Sequence, residues 1–193
     1  MTYFLDFDRT LFDFDSFFRE LVERPGLASV RATALEVVKI PRGVDPVHDE
    51  KRNRMWEEVH ALYSAGAFSF PDDSLSQFVF PDARAFLRKH GGDTVVITKG
   101  GLDLSFQQGK VAASGVGTLV ARCEYVQRED SKGALLKSLL PEYPVPHLFV
   151  DDFSKELDSV ALLCPEVTLY EMRRDGKAGS GTYPVIRSLE ELP

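Results

Sequence analysis

The sequence predicts an α/β fold with a doubly wound, mostly parallel sheet, because two patterns alternate along the chain. Short apolar runs typical of buried strands are separated by stretches with helical periodicity. Several of the apolar runs end in polar residues, among them Asp6, Thr98 and Asp151. Since the carboxyl ends of parallel strands lie at one edge of a sheet, these residues are expected to converge on one site.

The apolar runs predict five strands. Their approximate ranges are residues 3–6, 93–98, 119–125, 147–152 and 167–171. A first strand that ends in an acidic residue is typical of the central strand of a doubly wound sheet. The stretch of residues 173–182, which is rich in glycine and charge, is predicted to be a loop.

The segment of residues 14–77 differs from the rest of the chain, because it is helix-like and has few β-branched runs. It is broken at Pro25-Gly26 and around residues 41–43. Asp15 or Ser16 is expected to cap its first helix. Two apolar stripes at helical spacing are expected to pack as core: Phe17, Phe18, Leu21 and Val22, then Met55, Val59, Leu62 and Tyr63.

Two later helices have clear start signals. Pro81 lies where a first helical turn tolerates proline, and Gly91-Gly92 ends that helix. Asp130-Ser131 opens the other helix directly before Lys132. Strands that alternate with helices in this way favour right-handed crossovers and a mostly parallel sheet.

Length and composition limit the protein class. The 193 residues suffice for one domain or a core with a small insert, and 44% hydrophobic residues suffice for a core. A net charge of −7 argues against nucleic-acid binding. No apolar run is long enough to span a bilayer, and the start of the sequence does not resemble a signal peptide. Cys123 and Cys164 are expected to be buried free thiols, which favours the cytoplasm. The oligomeric state stays open.

Asp6 and Asp8 carry the strongest chemical signal. If the strand ends at Asp6, the turn lets both carboxyl groups of Asp6-Phe7-Asp8-Arg9-Thr10 face one crevice. Like charges this close need a cation or a shared proton, so the pair favours a metal, a nucleophile and an acid/base group. The alternative for the motif alone is a solvated turn in which Thr10 caps a helix.

The other polar strand and helix ends have ordinary alternatives. Thr98 could simply end its strand, and Asp151-Asp152 could form a turn or a helix cap. Lys132 could be a solvated lysine, although the dipole of its helix disfavours a cation at the N-terminus. Their common placement at one sheet edge favours a shared site.

The motifs, in this order, resemble those of the haloacid dehalogenase-like (HAD) superfamily. The similarity is carried by four segments: Phe4-Leu5-Asp6-Phe7-Asp8-Arg9-Thr10-Leu11-Phe12, Val95-Val96-Ile97-Thr98-Lys99-Gly100, Lys132 with its helix, and Phe149-Val150-Asp151-Asp152. The resemblance implies a Rossmann-like core of residues 1–13 and 78–193. Residues 14–77 match the position of a helical C1 cap, as in C1-capped phosphatases of this superfamily.

The resemblance also implies catalytic roles. Asp6 would be the nucleophile that forms an aspartyl-phosphate, and Asp8 would be the general acid and base. Thr98 and the backbone amides near Phe7, Asp8 and Lys99 would hold the phosphoryl oxygens. Lys132 would neutralise the charge of the phosphate and the nucleophile.

Mg²⁺ is the cofactor that the resemblance implies. Its ligands would be the Asp6 carboxylate, the Asp8 carbonyl and the two acids of the fourth motif. Asp152 is expected to be the direct ligand, and Asp151 would act directly or through water. Arg9 stands where the family often has glycine, and Lys99 where it often has asparagine.

The expected activity is hydrolysis of a small phosphorylated metabolite. Asp8 argues against a dehalogenase, which lacks an acid at that place. A phosphomutase of the same superfamily and a non-catalytic HAD-like module that binds phosphate or a protein remain alternatives. Outside the superfamily, a flavodoxin-like domain would need a glycine-rich phosphate turn after the first strand, and Asp-Arg-Thr stands there instead.

A basic stretch of the insert could meet an anionic substrate. It contains Arg42, His48, Lys51, Arg52 and Arg54. Acids of the same stretch balance this charge, which favours a solvated helix face instead. Asp158 could be a further acid of the site, but it too is expected to lie on a solvated face.

Overall fold

A six-stranded parallel sheet forms the centre of the computed structural model, which describes residues 1–37, 45–101 and 103–193. The strands are β1 (Thr2–Leu5), β2 (Thr94–Lys99), β3 (Arg122–Val126), β4 (His147–Asp151), β5 (Thr168–Met172) and β6 (Val185–Ile186). They lie in the order β3-β2-β1-β4-β5-β6, and every pair is parallel. The predicted α/β fold with a doubly wound parallel sheet is confirmed.

The register of the central strands brings the polar residues at their carboxyl ends together. Phe4 of β1 pairs with Val95 of β2 on one side and with Phe149 of β4 on the other. All three side chains are fully buried, as expected for strands covered by helices on both faces. The residues that follow these positions towards the carboxyl ends, including Asp6 and Asp151, therefore lie at one edge of the sheet.

Seven α-helices surround or extend the sheet in the described part of the chain. They are α1 (Phe14–Leu21), α2 (Ala28–Val37), α3 (Pro46–Ser64), α4 (Pro81–His90), α5 (Ser105–Ala113), α6 (Lys132–Leu139) and α7 (Ser154–Leu163). Helices α1 to α3 lie between β1 and β2 in the sequence, as predicted for an insert. The division into a core and a cap at residues 14 and 77 stays a prediction.

Both predicted apolar stripes of the insert pack inward. Phe17, Phe18 and Leu21 of α1 are buried, and so are Met55 and Val59 of α3. A short 3₁₀ helix at Pro25–Leu27 separates α1 from α2, which confirms the first predicted break. The second predicted break, around residues 41–43, lies outside the described residues.

The cap of α1 was predicted at the wrong residue. Asp13, and not Asp15 or Ser16, is the N-cap, because its carboxylate accepts a hydrogen bond from the Ser16 amide at 3.0 Å. Asp15 lies inside the first turn, where its charge still suits the positive end of the helix dipole.

The strand prediction was also incomplete. It omitted β6, a strand of two residues that is too short to show any alternation of polar and apolar side chains.

Cys123 is partly exposed rather than buried, because it lies on the edge strand β3, while Cys164 is buried as expected; both are free thiols. No described helix combines the length and the apolar character that crossing a bilayer would require.

Gly91 and Gly92 provide a matched test of the packing beneath β3. A Cβ atom on Gly91 would lie 1.7 Å from the Leu119 carbonyl oxygen, whereas one on Gly92 would meet nothing within 4 Å. We expect Gly91→Ala to lower the free energy of unfolding by about 2–3 kcal/mol, because rigid backbone must move. Gly92→Ala should change it by less than about 1 kcal/mol. Urea unfolding measures both values, and equal effects would contradict the packing described.

Candidate active site

Three carboxylates, here called the acid cluster, lie at the carboxyl ends of β1 and β4. They belong to Asp6, Asp151 and Asp152, and one ligand oxygen from each lies within 4.8 Å of the others. Asp6 and Asp151 are buried, and Asp152 is partly buried. Burial raises the pKa of Asp6 and of Asp151, against the opposing charge of Lys132. This is the donor set that a hard divalent cation prefers.

Lys132 is the cation that the structure places against the acid cluster. It is the first residue of α6, behind the N-cap Ser131. Its buried ammonium group donates to Asp6 Oδ1 and, at 2.7 Å, to Asp151 Oδ2. Burial alone would lower the pKa of Lys132, but the charges of Asp151 and Asp6 outweigh it and raise the pKa. Lys132 therefore stays charged and joins the two strands.

The two acids after β4 have different surroundings. Both oxygens of Asp151 accept hydrogen bonds, one from Lys132 and the other from the Phe153 amide at 2.8 Å. Asp152 accepts no hydrogen bond from any residue that the structure describes, and its ion-pair partner Arg9 is 3.9 Å away. Burial, followed by the charge of Asp151, raises the pKa of Asp152 to about 7. Asp152 is thus the acid with free oxygens for a cation.

Asp8 lies apart from the acid cluster and has its own partners. Lys110 Nζ of α5 contacts Asp8 Oδ1 at 2.7 Å and Asp8 Oδ2 at 2.8 Å. Gln107 Nε2, one turn earlier on α5, donates to Asp8 Oδ2 at 3.1 Å and to Thr98 Oγ1 at 2.6 Å. The two predicted residues Asp8 and Thr98 are thereby connected through one helix.

The turn after β1 has an unusual backbone. Arg9 has a φ of 59°, in the left-handed region that glycine adopts most easily. Its guanidinium group pairs with Asp15 at 2.8 Å and lies over the Phe14 ring. The Phe7 ring is buried and stacks on Phe12. The amides of Phe7 and Asp8 donate to no acceptor among the described residues, so they are free to bind an anion.

Glu156 connects the second and third motifs and was missed at the sequence level. One of its oxygens accepts from Lys99 Nζ at 2.8 Å, and the other accepts from the Lys132 amide at 3.2 Å. The side chain of Lys99 is therefore used inside the protein, and its amide stays a predicted phosphate donor. An acid in the first turn of the helix that follows Asp151-Asp152 was the signal that could have identified Glu156.

The remaining charged candidates face partners away from the acid cluster. His48 pairs with Asp45 at 2.7 Å, and Lys51 with Glu36 at 2.7 Å. Arg52 pairs with Asp49 at 2.5 Å, and Arg54 with Glu50. Lys51 and Arg54 are exposed, as on the solvated helix face that was favoured, whereas His48 and Arg52 are partly buried. Arg42 lies outside the described residues. Asp158 is exposed and accepts from the Tyr183 hydroxyl.

A cavity of about 320 Å³ lies between α3 and the loops that follow β2 and β3. Its lining includes Trp56, His60 and Ser64 of α3, Gly101 and Asp103 after β2, and Arg128 after β3. The His60 ring stacks on Phe106 of α5 at 4.8 Å, and burial lowers the pKa of His60. The volume suits a small molecule, and the lining offers both aromatic and charged groups.

Comparisons with known proteins identify relatives of this fold by structure. No family model matches the sequence, and no curated protein is significantly similar to it. A protein from Burkholderia xenovorans LB400, described as a haloacid dehalogenase-like hydrolase, is 22% identical with a TM-score of 0.65; the match covers 97% of this chain and 92% of that one.

Two further solved structures are similar. The HAD-hydrolase YfnB from Bacillus subtilis, bound to magnesium, is 18% identical with a TM-score of 0.57, over 99% of this chain and 96% of its own. A protein from Thermotoga maritima described as a β-phosphoglucomutase is 11% identical with a TM-score of 0.61, over 97% and 94%. At these identities the comparisons show the fold of HAD-like hydrolases.

In the absence of a divalent cation, we expect the free energy of unfolding to fall as the pH rises towards about 7 and to become constant above it. The pKa of Asp152 is about 7 in the folded protein, against an ordinary value of 3.8. Between these values the folded state holds a proton that the unfolded chain has lost, so stability declines with rising pH over this range and becomes constant once the folded state loses the proton as well. Urea unfolding in EDTA between about pH 5 and about pH 8 measures this dependence.

Asp152→Asn removes the titrating group and should make that decline shallower. Asp158→Asn is the matched control, because its carboxylate is exposed and outside the acid cluster. An unchanged pH dependence in Asp152→Asn would contradict the raised pKa of Asp152.

Proposed function

We propose that this chain, which has the fold of HAD-like hydrolases, is a Mg²⁺-dependent phosphatase that hydrolyses small phosphomonoesters. The reaction would proceed through an aspartyl-phosphate on Asp6, with Asp8 as the general acid and base. The substrate would be a small phosphorylated metabolite, and neither nucleic acid nor a membrane surface would be a partner.

The observation that carries this proposal is the separation of Asp6 from Asp8. Asp6 lies in the acid cluster and contacts Lys132, whereas Asp8 lies outside the cluster and contacts Lys110. Two carboxylates only two residues apart therefore have different partners, as expected when one is a nucleophile and the other transfers protons.

The acid cluster supports the assignment of Mg²⁺. It contains three carboxylates, and Lys132 supplies one ammonium charge against them. Asp6, Asp152 and the Asp8 carbonyl would hold the ion, because both oxygens of Asp151 already accept hydrogen bonds from Lys132 and the Phe153 amide. When bound, Mg²⁺ would neutralise charge on the transferred phosphoryl group.

The first chemical step would transfer the phosphoryl group to Asp6. The Asp6 carboxylate attacks phosphorus, the bond from phosphorus to the leaving oxygen breaks, and Asp8 gives that oxygen a proton. The Thr98 hydroxyl, the amides of Phe7, Asp8 and Lys99, and the Lys132 ammonium would hold the phosphoryl oxygens. Free amides at Phe7 and Asp8 support this arrangement.

The second step would hydrolyse the aspartyl-phosphate. Asp8 takes a proton from water, the water oxygen attacks phosphorus, and the bond to Asp6 breaks to release inorganic phosphate. A hydroxyl group of a second sugar phosphate would replace this water in a phosphomutase. We also propose a cytoplasmic location, which the free thiols of Cys123 and Cys164 favour.

Phosphate release from a panel of phosphomonoesters tests this function. We expect turnover with Mg²⁺ and none in EDTA, because the acid cluster needs a cation to accept an anionic substrate. Asp6→Asn should lower kcat by at least about 10³-fold, since it removes the nucleophile but keeps its shape.

The exposed Asp158→Asn variant is the control for loss of a carboxylate, and it should retain wild-type activity within about twofold. Turnover that persists in Asp6→Asn would exclude the aspartyl-phosphate route. If the wild-type protein releases no phosphate from any ester, including an activated aryl phosphate, the hydrolase assignment is wrong. A phosphomutase or a binding module would then be the better explanation.

A further inference from the structure

Lys110 is a buried cation that neither the sequence motifs nor the proposed mechanism requires. Its side chain is 1% exposed. Five aromatic rings surround its ammonium group, with ring centres 5.0 to 5.8 Å away; this aromatic shell consists of Phe7, Phe12, Phe14, Phe17 and Phe106. Burial lowers the pKa of Lys110, against the opposing charge of Asp8. Burying a lysine is costly unless it is paired, and the carboxylate that pairs with Lys110 is that of Asp8.

Lys110 and Gln107 together engage both oxygens of Asp8. The ammonium group contacts Oδ1 and Oδ2, and the amide of Gln107 donates to Oδ2. The same amide donates to Thr98, which fixes Asp8 relative to the end of β2. The Asp8 side chain is 24% exposed, so it remains open to a substrate on its other side.

In this arrangement the Asp8 carboxylate lies outside the acid cluster. Asp6, Asp151 and Asp152 form that cluster without the Asp8 carboxylate, although Asp8 is only two residues from Asp6. A flexible Asp8 side chain near a bound divalent cation would be attracted to it as another ligand. A carboxylate that ligates the cation is a poor proton carrier, so its separation matters for the chemistry.

We propose that Lys110 and Gln107 are positioning residues that hold the Asp8 carboxylate outside the acid cluster, where it exchanges protons with the leaving-group oxygen and with water. This inference rests on the proposed phosphatase function and extends it to α5. The ammonium charge of Lys110 attracts the Asp8 carboxylate, and the Gln107 amide orients it by donating to Oδ2. In this proposal neither residue contacts the transferred phosphoryl group. The aromatic shell excludes water from the ammonium group and strengthens its attraction to Asp8.

Two aryl esters of similar shape separate this role from a structural one. Phenyl phosphate has a poor leaving group, whose oxygen needs a proton from Asp8. The p-nitrophenyl group of p-nitrophenyl phosphate is a good leaving group, whose oxygen departs with little need for that proton. Because kcat/KM covers only the steps up to departure of the leaving group, it reports on proton donation and not on hydrolysis of the aspartyl-phosphate. Loss of positioning should therefore affect the two esters unequally.

Lys110→Met removes the charge and keeps an unbranched side chain inside the aromatic shell. We expect kcat/KM to fall by about 100-fold with phenyl phosphate and by less than about tenfold with p-nitrophenyl phosphate. The Mg²⁺ concentration for half-maximal activity should fall or stay the same but not rise, because the released Asp8 carboxylate can join the acid cluster as a further ligand. Gln107→Met, which keeps the ammonium group, should show the same inequality with smaller losses.

Lys137→Met is the control for loss of a lysine, since Lys137 is exposed on α6, and thermal unfolding verifies that each variant is folded. Equal losses on both esters, or no loss, in a folded Lys110→Met or Gln107→Met would overturn this inference while wild-type turnover upholds the phosphatase. If Lys110→Met does not fold, Gln107→Met alone decides the outcome. Absence of wild-type turnover on both esters would overturn the proposed function and this inference with it.

Discussion

The carboxylates of Asp6, Asp151 and Asp152 lie together in a buried place, where like charges repel strongly. Parallel pairing of β1 with β4 brings them there, so the repulsion follows directly from the sheet. Lys132 reduces it by contacting one acid on each strand, and its own helix begins at that residue. Glu156 in turn accepts from the Lys132 amide and so fixes the start of that helix. Lys132 and Glu156 thus compensate a repulsion among carboxylates that the sheet itself creates.

A second cation separates the two aspartates of the first motif. Lys132 contacts Asp6 from α6, whereas Lys110 contacts Asp8 from α5, which packs on the opposite face of the sheet. The left-handed backbone at Arg9 turns the chain directly after Asp8, in a position that glycine would adopt more easily. Each aspartate consequently has a partner of its own, although the sequence places them almost side by side. This division of partners is what the proposed roles of nucleophile and proton carrier require.

The sequence predicted the sheet and its polar edge well, because apolar runs identify buried strands and parallel strands end together. It predicted Lys132 for a physical reason as well, since a cation at a helix N-terminus is unfavourable without acids nearby. Lys110, Gln107 and Glu156 were missed, because they lie inside helices whose rotation about their own axes is set by tertiary packing. Asp13 and Asp15 are equally good caps by residue type, and only the backbone decides between them. The roles of the site residues remain predictions that activity measurements must decide.

Phe106 belongs to two places at once, since its ring is part of the aromatic shell of Lys110 and also stacks on His60 in the cavity wall. A single ring therefore lies between the wall of the cavity and the lysine that contacts Asp8. A change of this ring alters the shape of the cavity and the support of the proton carrier together. Under the proposed function, selectivity and rate would therefore be linked at position 106, and also at Trp56, whose ring packs against Phe14 and Phe106. Arg128, which lines the cavity and pairs with Glu57, is the position where the cavity could change with less effect on the aromatic shell.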